Sequence, residues 1–257
     1  MNLIFEFHMI MKKKLTVGLV LSLAAFCAGA EGAEAEWGYR GKAGPARWSQ
    51  LSPQYEACGK GRAQSPINIR KASKAELPAL AFEYSVVPAT VVNDGHMILV
   101  EVPGGNHLKV GDESYELVQI NFHSPSEEQI DGKHKAMVAH FVHRNDAGQL
   151  AVVAVLLQTG KHNPAFQPVF SHLPRSRQAD PIGNLELDLA AMLPDSLKYY
   201  AYQGSLTTPP CSEGVSWMVL KNTVPVSKQQ KTEFRRLFPR NVRPVQPLNG
   251  REVQLSS

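Results

Sequence analysis

The sequence of residues 151–157 is AVVAVLL, and every position in it is apolar. Valine-rich runs of this length favour a strand over a helix, and a strand without polar positions is covered by protein on both faces. We therefore place this run at the centre of a sheet. Short runs bounded by Gly, Pro, Asn or Asp predict further strands at residues 89–92, 97–102, 117–122, 136–142 and 215–220.

Helical signals are few. The best lies at residues 227–238, where Ser227 is a suitable N-cap and Pro239 ends the segment. The chain contains 18 prolines and 19 glycines, which indicates long, ordered loops around the sheet. Because no repeat or Gly/Ser linker divides it, the sequence predicts a single, mainly β domain from about residue 36 to residue 255.

The composition is that of an ordinary folded protein. The 257 residues are 43% hydrophobic and 19% charged, which excludes a disordered tail, a collagen-like repeat and a coiled coil. The formal net charge is +4, but residues 1–30 carry three lysines and one glutamate, so the remainder has 24 basic and 22 acidic residues. A nearly balanced chain gives no reason to expect a nucleic-acid partner.

The first 30 residues have the pattern of a secretory signal peptide. Three lysines precede an apolar run at residues 15–28, and small residues allow cleavage before Glu31. The apolar run is too short for a comfortable membrane span, and no later segment approaches about 18 uninterrupted apolar residues. We therefore expect an exported protein, periplasmic or secreted, with no membrane span and with its domain at residues 31–257. Met11 is a suitable start, so residues 1–10 are consistent with a mis-assigned start codon.

The cysteine count suggests one disulfide. If Cys27 is removed with the signal peptide, Cys58 and Cys211 remain. An even number of cysteines in an exported chain favours a bridge, and two free buried thiols are the alternative. A lipid anchor on Cys27 is disfavoured, because the bulky Phe26 stands where a small residue is needed.

Two predicted strands carry side chains suited to a metal. Asn121 and His123 are two residues apart, so they leave the same face of their strand. His140 lies in another run that can pair beside the first. Three such side chains can converge on a tetrahedral zinc and leave its fourth position to water, whose pKa then falls to about 7. Two imidazoles alone are more often structural, and buried structural histidines are the competing interpretation.

Two further segments favour chemistry. Residues 204–211, GSLTTPPC, form a rigid loop rich in hydroxyl groups and with no evident packing role. His96 directly follows an Asn-Asp-Gly turn, where we expect it to be exposed and able to carry protons near neutral pH. The alternative for His96 is an ordinary surface residue.

Several motifs together resemble one family, the α-class carbonic anhydrases of the bacterial, exported type. The resemblance extends from residue 37 to residue 248 and is carried by QSPINI at 64–69, NDGH at 93–96, SPSE at 124–127, AHFVH at 139–143 and GSLTTPPC at 204–211. It implies a central, mostly antiparallel twisted sheet of about ten strands with short peripheral helices and with zinc at the bottom of a cone. It also implies a bridge between Cys58 and Cys211.

The resemblance assigns roles to individual residues. His123 and His140 match the second and third zinc ligands. Thr207 matches the threonine that accepts a hydrogen bond from the hydroxide nucleophile and donates one to Glu127, which orients the nucleophile towards CO2. His96 matches the proton shuttle.

The resemblance also implies an apolar substrate pocket that holds CO2 by proximity. Tyr39 matches a tyrosine on the path of ordered water, and Gln119 lies in the layer of residues supporting the site. The substrate pocket is assigned to Val142, Val152, Leu206, Thr208, Val215 and Trp217.

Three positions depart from the family pattern. The first zinc ligand of the family is a histidine, and here that position is Asn121, whose amide oxygen is a poorer zinc donor than imidazole. The family places a glutamate two residues before the third ligand, and here that position is Val138; loss of such a partner costs about 10–100-fold in affinity or activity. Glu128 stands where many relatives have histidine, at a position that varies among the bacterial members.

The sequence therefore predicts a lyase that hydrates CO2 reversibly to bicarbonate and a proton with Zn²⁺, weakened at Asn121 and Val138. CO2 and bicarbonate are the expected partners, with sulfonamide-type anions as ligands if zinc is bound. The alternative is a catalytically silent relative that acts as a binding or structural module, and a different metal at a two-His-plus-Asn site is a third hypothesis. His143 is expected to face away from His140, and His134 to lie too far off, so neither replaces the missing ligand.

Overall fold

A computed structural model describes residues 36–257. The predicted signal peptide, including Cys27, lies outside the described residues. Within residues 36–257, none of the helices has the length and apolar character needed to cross a membrane.

Strands dominate the described part of the chain. They are β1 (Asn68–Ile69), β2 (Ser73–Ala75), β3 (Leu80–Glu83), β4 (Val86–Asn93), β5 (Ile98–Glu101), β6 (His107–Val110), β7 (Glu113–His123), β8 (Gln129–Ile130), β9 (Lys133–His134), β10 (Met137–Arg144), β11 (Leu150–Thr159), β12 (Ile182–Asp188), β13 (Tyr199–Ser205), β14 (Glu213–Leu220), β15 (Val224–Val226) and β16 (Gln254–Ser256). All six strands predicted from apolar runs are confirmed, with ends that differ by a few residues.

Thirteen of these strands form one mixed sheet, and β1, β8 and β9 form a small second sheet. The order along the large sheet is β12-β4-β5-β7-β10-β11-β14-β13-β16-β2, with β15 beside β11, β6 beside β7 and β3 beside β6. Pairing within the large sheet is antiparallel except between β11 and β14, β11 and β15, and β16 and β2. The expected mainly antiparallel sheet of about ten strands is thus confirmed as a ten-strand path with three additional strands.

Strand β11 lies inside the sheet, and its alternate residues enter two different cores. Val153 and Val155 belong to the larger core on one face, and Val152 and Leu156 to the smaller core on the other. This separation follows from the two-residue period of a strand, because neighbouring side chains leave opposite faces. It explains why residues 151–157 have no polar position.

The helices are short and peripheral: α1 (Trp48–Leu51), α2 (Ala57–Lys60), α3 (Gln167–Ser171) and α4 (Lys228–Leu237), with 3-10 turns at Gly41–Ala43, Pro45–Arg47, Pro53–Tyr55 and Ala190–Met192. Helix α4 is the one predicted from sequence. The Ser227 hydroxyl accepts from the backbone N–H of Gln230, and the Gln230 side chain accepts from that of Ser227. This reciprocal capping box satisfies two N–H groups that an isolated helix end leaves unpaired.

The predicted disulfide is confirmed. Cys58 in α2 is bonded to Cys211 in the loop after β13, across a sequence separation of 153 residues. Both cysteines are buried beside Trp48 and Tyr55. The bridge therefore attaches the N-terminal helical segment to the loop that carries Thr207.

Candidate metal centre

The register between β7 and β10 sets the geometry of the site. Asn121 pairs with His140, and His123 pairs with Val138. Directly paired residues of antiparallel strands project from the same face with their Cβ atoms about 4.5–5.5 Å apart. Asn121, His123 and His140 therefore share one face of the sheet, the face of the smaller core.

These three side chains open into one small cavity. Its lining contains five of the six residues assigned to the substrate pocket, together with Thr207, and it adds Met97, which the sequence did not single out. The lining is Met97, Asn121, His123, His140, Val142, Val152, Leu206, Thr207, Thr208 and Trp217. Val215 does not line this cavity; it is buried in the same core as Trp217.

Leu206, Thr207 and Thr208 belong to the hydroxyl-rich loop that follows β13, and all three line the cavity. The Trp217 ring in the cavity wall is fixed by a hydrogen bond, because its indole N–H donates to the Ser205 carbonyl at 3.0 Å. The His140 ring meets the Trp217 ring edge to face, with centroids 5.0 Å apart. The cavity thus combines apolar walls with nitrogen and oxygen atoms on one side.

His123 presents one ring nitrogen to the cavity. Its Nδ1 lies 2.8 Å from the carbonyl oxygen of Asn241, which can only accept, so Nδ1 carries the proton and Nε2 keeps its lone pair. Burial lowers the pKa of His123, with Glu127 opposing this effect. A neutral imidazole with one nitrogen anchored by a carbonyl is the form that binds a metal.

His140 is oriented the other way round. Its Nε2 lies 2.9 Å from Oε1 of Glu128, which leaves Nδ1 towards the cavity. Burial by itself lowers the pKa of His140, but the charge and hydrogen bond of Glu128 outweigh it, and the pKa is raised. The expectation that Val138 leaves His140 without a carboxylate is therefore wrong, because Glu128 supplies one from another segment.

Glu127 is fully buried beside both histidines. Its Oε1 accepts a hydrogen bond from the Arg243 backbone N–H at 2.7 Å. Its Oε2 lies 3.7 Å from His123 Nε2 and 4.0 Å from His140 Nδ1 and has no hydrogen-bond partner among residues 36–257. The Thr207–Glu127 hydrogen bond implied by the resemblance is thus not formed in this structure, because Oε2 lies towards the imidazoles.

The donor set fits a divalent cation such as zinc. Two imidazole nitrogens face one cavity, and each ring is anchored at its other nitrogen. The amide oxygen of Asn121 is buried there without a hydrogen-bond partner in the described part of the chain. The ligand atoms of His123, Glu127 and His140 lie within 4.8 Å of one another. Zinc accepts nitrogen and oxygen ligands of these types, so the unpaired oxygens and oriented imidazoles suit it.

His96 lies outside this cavity. Its ring stacks on Trp37 with centroids 3.8 Å apart, and it is half-buried in a surface depression that also includes Tyr39, Arg177 and Arg240. Burial lowers its pKa, with Asp94 opposing. The expectation of an exposed His96 is therefore corrected: the ring of Trp37, 59 positions earlier in the chain, covers one side of it.

The remaining predicted residues occupy supporting positions. Tyr39 packs against Trp37 and Trp48, and its buried hydroxyl has no hydrogen-bond partner within residues 36–257. Burial raises the pKa of Tyr39 well above its ordinary value. Gln119 lies on β7 opposite Val142, next to the site but not in its lining.

The two other histidines considered as ligands do not join the site. His143 belongs to the opposite face, where its Nε2 lies 2.6 Å from the hydroxyl of Tyr84. His134 is engaged by the carbonyl of Ser126 at 2.5 Å and by the side chain of Gln129 at 2.9 Å. Three positions separate His143 from His140 along β10, and this odd spacing places the two rings on opposite faces of the strand.

Sequence reasoning missed the C-terminal contributions to the site. The Asn241 side chain donates to the Phe122 carbonyl at 3.0 Å and accepts from the Ser124 N–H at 3.0 Å, which holds its own carbonyl against His123. The buried Arg243 guanidinium donates to the carbonyls of Ser65 and Cys58. Nothing in the local sequence around these residues indicates contacts with segments more than 100 positions away.

Comparison with known proteins agrees with this architecture. The sequence profile described as eukaryotic-type carbonic anhydrase matches residues 43–257. A carbonic anhydrase of Pectobacterium carotovorum is 42% identical over 246 residues, covering 95% of this chain and 99% of the relative. The α-carbonic anhydrase of Thermovibrio ammonificans, solved with the inhibitor sulfanilamide, superposes with a TM-score of 0.83 at 42% identity, over 86% of this chain and 100% of that one.

A second kind of relative has the same fold. The crystal structure of dioscorin complexed with ascorbate superposes with a TM-score of 0.80 at 33% identity, over 86% of this chain and 97% of that one. The family profile covers most of the chain, and the bacterial relative matches nearly all of it. The chain belongs to the eukaryotic-type, or α, carbonic anhydrase family.

Proposed function

We propose that this protein hydrates CO2 reversibly to bicarbonate and a proton, using zinc held less tightly than three histidines would hold it. The observation that carries this proposal is the pair of buried imidazoles, His123 and His140. Each offers one nitrogen to a single apolar-walled cavity while an acceptor anchors the other. Asn121 completes the ligand set with a weaker amide donor.

The residues that line the cavity have separate roles in this reaction. Zinc, when bound, supplies a Lewis acid that lowers the pKa of water enough to provide a nucleophile near neutral pH. Val142, Val152 and Trp217 exclude water and hold CO2 close to the metal ligands. The Thr207 hydroxyl in the same cavity accepts a hydrogen bond from the nucleophile and restricts its direction.

The proton produced must leave the cavity. His96 is the proposed acceptor, because an imidazole can both take and release a proton near neutral pH and this one lies half-buried in a depression open to solvent. Its Trp37 stack holds the ring at the surface, from which it passes the proton to buffer.

The decisive experiment is stopped-flow CO2 hydration by metal-analysed mature protein, residues 31–257, with and without added zinc and with a sulfonamide as inhibitor. Zinc-dependent turnover that the sulfonamide abolishes is the expected result. Absence of turnover in protein with a full equivalent of zinc would overturn the proposal.

A silent binding protein is the second candidate, and Asn121 favours it together with the unformed Thr207–Glu127 hydrogen bond. The dioscorin structure, solved with ascorbate, shows the same fold in a protein that is not named a carbonic anhydrase. The variant Asn121→His separates the two. In an enzyme with a weak metal site, this variant should increase zinc affinity by more than about 100-fold. That exceeds the effect of losing a residue that hydrogen-bonds to a metal ligand, and turnover should increase as well. In a silent protein, zinc affinity increases and turnover stays absent.

We also propose export to the periplasm or the medium, with cleavage after residue 30. The N-terminal pattern and the Cys58–Cys211 bridge support it, because disulfides form and persist in oxidising compartments. N-terminal sequencing of protein recovered from the periplasm or medium should give Glu31 as the first residue. Protein retained in the cytoplasm with its N-terminus intact would contradict export.

A further inference from the structure

His140 needs a hydrogen-bond acceptor for Nε2, the ring nitrogen that faces away from the cavity, and strand β10 does not provide one. Val138, two residues before it, is fully buried among apolar side chains and has no acceptor to offer. A metal-binding histidine whose second nitrogen lacks an acceptor is free to change tautomer and ring orientation. The site therefore requires a carboxylate or carbonyl from elsewhere in the fold.

Glu128 meets this requirement from outside the large sheet. Its Oε1 lies 2.9 Å from His140 Nε2; Glu128 is fully buried and His140 is 3% exposed. A carboxylate is retained in such a place only when it is paired, since burying an unpaired charge is costly. Among the described residues, His140 is the direct hydrogen-bond and ion-pair partner of Glu128.

The backbone around Glu128 holds the carboxylate in position. The Ser126 hydroxyl donates to the Glu128 carbonyl at 2.7 Å. Glu128 immediately precedes β8, where Gln129 pairs with Asn68 of β1 and with His134 of β9. The residue is thus anchored on both sides, which suits a group that must orient another side chain.

We infer that Glu128 is the positioning residue for His140, replacing within this chain the carboxylate that Val138 cannot supply. It fixes the proton on Nε2 and turns Nδ1 towards the cavity, where zinc would bind. This inference rests on the proposed zinc site. It implies that Asn121 alone weakens the ligand set, and that Val138→Glu would add a second, redundant carboxylate at Nε2.

The test measures zinc affinity by competition with a chelator on the mature chain, and the absorption spectrum of the Co²⁺-substituted protein. Glu128→Gln keeps the shape of the side chain and removes its charge. We expect it to lower zinc affinity about 10-fold, which lies within the range for loss of a residue that hydrogen-bonds to a metal-binding histidine. Glu128→Ala should lose about 100-fold and shift the Co²⁺ bands. Circular dichroism and thermal melting monitor folding.

Rescue distinguishes positioning from a general structural role. Glu128→Gln combined with Val138→Glu returns a carboxylate to His140 from β10, and zinc affinity should recover while Val138→Glu alone gives no gain. The matched control is Glu213→Gln, which removes a carboxylate bonded to Gln64 and Ala63 and leaves zinc affinity unchanged.

All single variants are also made on an Asn121→His background. If the wild-type chain takes up no zinc, the proposed function fails, and the three-histidine background still reports on Glu128. Folded Glu128→Gln protein with unchanged zinc affinity and Co²⁺ spectrum in that background would overturn the positioning role. Should the double variant not fold, Glu128→Asp, which keeps the charge on a shorter side chain, should lie between wild type and Glu128→Gln in affinity.

Discussion

The buried His143, on the face of the sheet opposite the candidate metal centre, should make the protein sensitive to mild acid. Its ring is satisfied only when neutral: Nδ1 lies 3.3 Å from the Ala151 carbonyl, and Nε2 accepts from the Tyr84 hydroxyl at 2.6 Å. A second ring proton would displace the Tyr84 proton and leave a buried charge unpaired. Burial accordingly lowers the pKa of His143 from 6.5 to about 4.

The sign and size of the effect follow from proton linkage. Between these two pKa values the unfolded chain binds a proton that the folded protein excludes, so acid favours unfolding. His143 thus contributes its full stability at pH values above about 6.5 and loses it as the pH falls towards 4. Relative to pH 7.5, the free energy of unfolding should decrease by about 2 kcal/mol at pH 5 and by about 3 kcal/mol at pH 4 from this residue alone.

The assay is urea unfolding, followed by tryptophan fluorescence, at a series of pH values between 7.5 and 4. His143→Gln cannot titrate and can still accept a hydrogen bond from Tyr84, so its stability curve should be flatter than that of wild type by about 2 kcal/mol at pH 5. His172→Gln, at an exposed position, is the matched control, since it leaves the buried imidazole in place. Parallel curves for wild type and His143→Gln would refute the reasoning.

Three further outcomes are expected. Reducing the Cys58–Cys211 bridge, which closes a long loop, should cost about 2–4 kcal/mol and lower Tm by several degrees in calorimetry; an unchanged Tm would argue against a stabilising bridge. Ser227→Ala removes the N-cap of α4 and should cost about 1 kcal/mol in urea unfolding, whereas equal midpoints would count against the capping box. His96→Ala should lower kcat for CO2 hydration in dilute buffer, with imidazole restoring it; the proposed shuttle fails if kcat is the same in both proteins.

Local sequence patterns predicted much of the fold. The all-apolar run at residues 151–157 predicted an interior strand, because a strand covered on both faces tolerates no polar position. The serine at 227 predicted the start of α4, since its hydroxyl satisfies N–H groups within three residues. Likewise the spacing of Asn121 and His123 placed both on one face, as the strand period requires. Each of these inferences depends on atoms only a few residues apart.

Contacts between distant segments were beyond such patterns. Val138 suggested a His140 without a carboxylate, yet Glu128 comes from 12 positions earlier and outside the large sheet. Asn241 reaches His123 across 118 positions, and Trp37 covers His96 across 59. Local periodicity specifies which face a side chain leaves, whereas the partner on that face depends on how separate segments fold back together. The sequence therefore indicates which imidazoles share one face of the sheet, and the packing of remote loops determines which way each ring is turned.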